Sequence, residues 1–181
     1  VNRPQYHLIE PEKWMNEPHA PFFFNGYYHI FYQANLHAPI WDSIQWGHLA
    51  SKDMVHWQDL PLALQSEKGF YDELGCWSGS GLVDKDGVPR IYYTAGNSNR
   101  FPNQAVALAQ PEDTEEDPLL KKWKKYPSLI KEQDIGWLGE FRDPFVWIEN
   151  DSYFMLVGTG DEHNGGGNAA LYASSDGLHW G

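Results

Sequence analysis

Ser51-Lys52-Asp53-Met54-Val55-His56-Trp57 returns near the other end of the chain as Ser174-Ser175-Asp176-Gly177-Leu178-His179-Trp180. Both stretches read Ser-x-Asp-x-x-His-Trp, and the likeness extends back into His48-Leu49-Ala50 and Tyr172-Ala173. A looser copy lies between them: Ala107-Leu108-Ala109, an insertion, then Trp123-Lys124-Lys125-Tyr126-Pro127. That copy keeps the Trp-to-Pro spacing of Trp57-Gln58-Asp59-Leu60-Pro61. The three tryptophans stand 66 and 57 residues apart. A period of this size, with one hairpin between copies, points to β-propeller blades of about four strands each.

The segments between the copies agree. Phe22-Phe23-Phe24, Asn25-Gly26 and Tyr27 to Tyr32 form a hairpin signal of the type I′ kind, because Asn-Gly tolerates positive φ at both turn positions. Leu82-Val83, the turn Asp84-Lys85-Asp86-Gly87 and Ile91 to Thr94 predict a second hairpin. Phe145 to Ile148, the turn Glu149-Asn150-Asp151-Ser152 and Tyr153 to Thr159 predict a third. Helical periodicity is nearly absent, so the fold class expected is all-β. About three blades are counted, whereas propellers close with roughly 4–8. Residues 1–181 are therefore expected to form a partial propeller with no second domain. The chain reads as truncated, or as completed by another copy, with self-association through an open sheet edge as one consequence.

Composition narrows the partners. A net charge of −12 argues against nucleic acid and against anionic membrane surfaces. No apolar run approaches the roughly 18 residues of a membrane span, and no N-terminal stretch resembles a signal peptide, so the chain as given is expected to be soluble. Its one cysteine, Cys76, excludes an internal disulfide and leaves the compartment undecided. Aromatics at 15% suit core strands, and they also suit a stacking surface for sugar rings.

Several features read as structural. The acids Glu112, Asp113, Glu115, Glu116 and Asp117, followed by Lys121, Lys122, Lys124 and Lys125, read as a solvated loop. Gly165-Gly166-Gly167 lacks the Lys-Ser/Thr of a phosphate loop and reads as a flexible turn. His29, His48, His56 and His179 occupy strand or repeat positions that suit structural imidazoles. Asp161-Glu162-His163 is a weak metal signal, and neither metal nor cofactor is expected. Trp77-Ser78-Gly79-Ser80-Gly81 lacks the helix that a hydrolase nucleophile elbow requires.

Chemistry-bearing residues stand out in two places. Glu17 lies in Trp14-Met15-Asn16-Glu17-Pro18-His19-Ala20, and Asp143 in Phe141-Arg142-Asp143-Pro144. Each reads as a carboxylate in a short polar turn beside an apolar run, and Arg142 is expected to keep Asp143 ionised. Either alone also fits a surface turn. Paired carboxylates brought to a common funnel are what glycoside hydrolysis uses; in retaining enzymes the nucleophile and acid stand about 5–5.5 Å apart.

With these residues in place, the chain resembles the N-terminal part of glycoside hydrolase family 32, the invertases, inulinases and levanases. The family's Trp-Met-Asn-Asp-Pro-Asn-Gly is similar to Trp14 to Ala20. Tyr28-His29-Ile30-Phe31-Tyr32-Gln33, Trp46 to Trp57, Trp77-Ser78-Gly79-Ser80 and Arg142-Asp143-Pro144 follow in family order, so the likeness spans nearly the whole chain. The resemblance implies a five-bladed β-propeller acting on β-fructofuranosides such as sucrose, inulin or levan by a retaining mechanism. It places Glu17 as nucleophile and Asp143 as transition-state stabiliser. Asn16, Gln33, Trp41, Trp77, Ser78 and Arg142 would then bind the fructosyl ring. Core packing is the other reading of Trp41 and Trp77, and strand capping that of Asn16 and Gln33.

Two departures set this chain apart. Glu17 stands where the family has Asp, and one added methylene advances the carboxylate by roughly 1.5 Å. The family's general acid, a Glu in a Glu-Cys pair some 50 residues past Arg-Asp-Pro, is not matched; Cys76 follows Gly75, and the acid is expected beyond residue 181. The isolated chain is thus expected to be inactive, with Glu73 the nearest internal candidate. The alternative is a carbohydrate-binding propeller that has lost catalysis.

Overall fold

The computed structural model describes residues 13–97, 103–131, 140–161 and 165–181. Glu162 and His163 of the weak metal signal lie outside them. The described residues form three antiparallel sheets of strands in sequence order and no helix. The first sheet holds β1 (Trp14–Phe24), β2 (Tyr27–Asn35), β3 (Gln45–Ser51) and β4 (Trp57–Leu64). The second holds β5 (Gly75–Val83), β6 (Pro89–Gly96), β7 (Gln104–Pro111) and β8 (Trp123–Lys131). The third holds β9 (Phe141–Glu149), β10 (Ser152–Asp161) and β11 (Gly166–Ser174). These are meandering propeller blades, with β1, β5 and β9 the first strand of each.

Turn chemistry explains the hairpins. Asn25 and Gly26 both have positive φ, as do Asn150 and Asp151, which is the type I′ geometry that matches strand twist. The repeated Ser-x-Asp-x-x-His-Trp is a self-contained turn. Ser51 Oγ accepts the amides of Asp53 and Met54, while Asp53 accepts those of Val55 and His56 and also meets the His56 ring. Ser174, Asp176 and His179 reproduce the pattern. Trp57 then opens β4, and after the third copy Gly181 exchanges two backbone hydrogen bonds with Ala173. The shared Trp-to-Pro spacing also has a cause. In β4 and β8 the ladder slips just after Leu60 and Tyr126, where Pro61 and Pro127 follow, as a residue without an N–H demands.

The middle blade is packed on both faces. Every residue of β6 is buried, and its alternation splits them: Ile91, Tyr93 and Ala95 join Phe31, Trp46, Leu64 and Cys76 of the first interface. Tyr92 turns the other way, to Phe141, Val146, Met155 and Val157. The Cys76 thiol is buried, and that burial, with Asp72 beside it, pushes its pKa well up, so it is packing rather than a reactive group. The third blade covers one face only. On its other face Phe145, Leu156 and Leu171 stand side by side across β9, β10 and β11, exposed by 60%, 38% and 62%.

Two sequence expectations change, and a third holds. Gly165 sits in a turn, but Gly166 and Gly167 already belong to β11, pairing Asp161 and Gly160. Asn16-Glu17 and Arg142-Asp143 lie inside β1 and β9 rather than in loops. The charged segment after Pro111 is a loop, as expected, with Asp117 accepting the amides of Lys121 and Lys122.

Candidate active site

The inner strand of each blade carries one extra residue at the same level. In β1 the register against β2 slips between Met15 and Pro18, which holds Asn16 and Glu17. In β5 it slips between Trp77 and Gly79, leaving Ser78 without a partner on β6. In β9 it slips between Arg142 and Phe145, at Asp143 and Pro144. A bulge bends a strand and re-aims a side chain. Asp143 adopts positive φ there, a strained state for a residue with a Cβ. The Ser78 bulge needs Gly79, because a Cβ at that position would lie 2.0 Å from the Tyr92 carbonyl oxygen.

The three bulges meet at one cavity of about 450 Å³ lined by Asn16, Glu17, Gln33, Trp41, Trp77, Ser78, Gln104, Arg142 and Asp143. All eight residues singled out in the sequence are therefore brought together. Gln104 joins them and was not foreseen; it sits at the head of an apolar strand, and its sequence context carries no signal.

Indole N–H groups set the polarity of the network, since they only donate. Trp14 Nε1 donates to Asn16 Oδ1 at 2.7 Å, and Trp41 Nε1 donates to Gln33 Oε1 at 2.9 Å. The Asn16 amide nitrogen is thereby turned to Gln33 Oε1, at 3.1 Å, and to Glu17 Oε2. Gln33 Nε2 donates to Ser78 Oγ, which in turn donates to Glu17 Oε1. Both carboxylate oxygens of Glu17 are thus held. The Trp41 and Trp77 rings, 5.7 Å apart, wall one side, and Trp41 is 51% exposed, so it is a surface ring rather than core.

Electrostatics separate the two acids. Partial burial pushes the Glu17 pKa up, but hydrogen bonds from Ser78 and Asn16 outweigh it and leave the group below its ordinary value. Asp143 moves the other way. The walls around its carboxylate raise its pKa, Arg142 only partly offsets that, and the charge of Glu17 adds to the rise. Arg142 holds Asp143 less firmly than the sequence suggests, because its Nη1 pairs with Glu140 and its Nε lies 3.7 Å from Asp143. Glu73 does not line the cavity; it accepts the amide of Gly69. Among the described residues no cluster of three or more His, Cys, Asp or Glu is arranged to hold a metal ion.

Two residues past Glu17, the buried His19 packs against Trp46 with ring centroids 4.0 Å apart, and neither of its nitrogens has a hydrogen-bond partner. Burial pushes its pKa down to about 4, against the pull of Glu17. His29 and His48 form a second buried pair, 2.9 Å apart, and are kept neutral in the same way.

Successive blades that each deliver a polar bulge to a shared axial cavity define a β-propeller with an acid-bearing site on its axis. The chain belongs to the glycosyl hydrolases family 32, whose N-terminal domain model matches residues 7–181. It is 40% identical to sucrose-6-phosphate hydrolase from Zymomonas mobilis, over 98% of this chain and 35% of that protein. It is 38% identical to fructan 1-exohydrolase from Hordeum vulgare, over 97% of this chain and 29% of that protein. Fructan 1-exohydrolase IIa from Cichorium intybus, solved in complex with 1-kestose, superposes with a TM-score of 0.88 at 35% identity, covering 99% of this chain and 33% of that one. The chain spans about a third of the length of these relatives.

Proposed function

We propose that this chain is the N-terminal part of a catalytic propeller that hydrolyses β-fructofuranosides with retention. Residues 1–181 would form one unit with no second domain among them. The observation that carries the reading is the convergence of Glu17 and Asp143 on one cavity walled by two tryptophans and floored by amide and hydroxyl groups. Family membership supports it, as do relatives named for sucrose 6-phosphate and fructan hydrolysis.

In this reading the Glu17 carboxylate, kept ionised by Ser78 and Asn16, attacks the anomeric carbon of the fructosyl unit. A covalent fructosyl-enzyme forms as the bond to the leaving oxygen breaks, and that oxygen takes a proton from a second carboxylic acid. Water then releases fructose and regenerates Glu17. Asp143, with Arg142 beside it, holds ring hydroxyls and balances the positive charge that builds on the sugar. The acid is proposed to be a Glu in the rest of the polypeptide, since the carboxylates lining the cavity among the described residues are Glu17 and Asp143. The isolated 181 residues are accordingly expected not to turn over.

The test is fructose release from sucrose, inulin and levan by the full polypeptide, with a fluorinated fructosyl donor to trap the nucleophile for mass spectrometry. Label on Glu17 supports the proposal; no fructose from any of the three removes it. One observation favours a second reading, a sugar-binding propeller without turnover: both oxygens of Glu17 are already engaged by Asn16 and Ser78. Bound fructoside with no release would select that reading.

A further inference from the structure

We propose that Thr94 is a positioning residue that keeps the Glu17 half of the site in register with Asp143; this rests on the fructoside-hydrolase reading above. Thr94 lies on β6, does not line the cavity, and is fully buried. Its hydroxyl donates to the Ser78 carbonyl oxygen at 2.9 Å and accepts the Asp143 N–H at 2.8 Å. The directions are fixed, because a carbonyl only accepts and an amide N–H only donates. One oxygen atom therefore joins the bulge of β5 to the bulge of β9. Through Ser78 Oγ the link continues to Glu17, on the first blade.

Bulged residues drop out of the strand ladder, so their backbone groups need partners elsewhere. Along β9 three amides find side-chain acceptors on the second blade. Phe141 N–H goes to Gln104 Oε1, Asp143 N–H to Thr94 and Val146 N–H to Ser80 Oγ. Ser80 and Gln104 each tie β9 to a side chain. Thr94 differs in tying the two bulges to each other, at the level of both carboxylates. A hydroxyl suits that place, since the two groups it joins demand an acceptor and a donor at once. Valine fills the same volume and supplies neither.

Three variants of the full polypeptide separate positioning from plain stability. T94V is expected to lower kcat on sucrose by roughly 10–100-fold, the loss that follows a displacement near 1 Å, with KM changed less than about threefold. T94S keeps the hydroxyl and is expected to stay within about threefold of the parent. S80A removes a comparable buried bond between the same two blades away from the carboxylates, and is expected to lose stability but keep kcat. A T94V with parental kcat, or an S80A that loses kcat as steeply as T94V, overturns the inference. A parent that releases no fructose removes the hydrolase reading instead. Positioning is then decided by carbon-13 NMR titration of the Glu17 and Asp143 carboxyl groups: altered titration in T94V and T94S-like parental behaviour support it, and parental titration in T94V overturns it.

Discussion

Ser78, on the inner strand of the second blade, hydrogen-bonds a carboxylate oxygen of Glu17 on the inner strand of the first. The contact crosses the seam between blades and uses a hydroxyl that would otherwise face the cavity. A shorter carboxylate would stand further back from it. The Glu at this position therefore occupies groups that, in the proposed mechanism, the sugar would use.

Glu17→Asp follows directly. Withdrawing the carboxylate by one methylene is expected to free Ser78 and Asn16 and to raise kcat/KM on sucrose by tenfold or more, given that about 1 Å of misplacement costs roughly a hundredfold. Initial rates of fructose release measure it. Unchanged rates in an active parent mean that the backbone has already compensated for the longer side chain.

Asp143→Asn is expected to separate activity from stability. Loss of charge stabilisation should lower kcat by roughly 10²–10³-fold. The raised pKa of Asp143 means the fold disfavours its charged form once pH passes the ordinary carboxylate range. Removing that charge should leave the neutral-pH thermal midpoint unchanged or higher. A clear fall in the midpoint contradicts the burial argument.

His19 makes stability depend on pH. The unfolded chain takes up a proton as pH falls through about 6.5, whereas the folded ring stays neutral down to about 4. Stability is thus fully present above that range and declines between 6.5 and 4, by on the order of 3 kcal/mol for this one group. His29, also pushed down to about 4, acts with the same sign. Urea unfolding at pH 7, 6 and 5 should show a smaller slope with pH in His19→Asn, by close to one proton. An identical slope shows that His19 is charged in the fold.

Gly79→Ala should be among the most damaging small changes in the chain. The new methyl group meets backbone, 2.0 Å from the Tyr92 oxygen and 2.8 Å from the Tyr93 Cα, so the bulge must open. A loss of about 3 kcal/mol is expected, with the site disordered alongside. Gly166→Ala, which meets nothing within 4 Å, is the control. Comparable midpoints for the two variants refute the packing argument.

The exposed row Phe145, Leu156 and Leu171 predicts self-association of the 181-residue chain. Leu156→Lys with Leu171→Lys is expected to shift sedimentation toward monomer. A monomeric parent at tens of micromolar ends this expectation.

Short-range chemistry was the legible part of the sequence. Ser51, Asp53 and His56 close a turn among themselves, and Asn25-Gly26 sets its own φ angles, so both can be read from a few residues. The motif residues of the site were legible by resemblance. Their setting was not: an extra residue in β1, β5 or β9 looks like any other residue until its neighbour strand is known. Hence Glu17 and Asp143 were expected in turns and are found within strands. Thr94 and Gln104 escaped for a related reason: the Ser78, Asp143 and Phe141 backbone groups that their side chains meet lie 16 to 49 residues away along the chain. Arg142 was over-weighted because Glu140, two residues before it, competes for the same guanidinium.

The bulges carry a consequence for how such a molecule changes over time. Beyond each added residue the pairing resumes, so a substitution there stays local instead of propagating into the neighbouring strand. Groups that face the cavity can then be exchanged one at a time, while the framework that presents them is left alone. The lining of the cavity becomes adjustable at three separate points around it, and a lineage can reshape that cavity without rebuilding its interior.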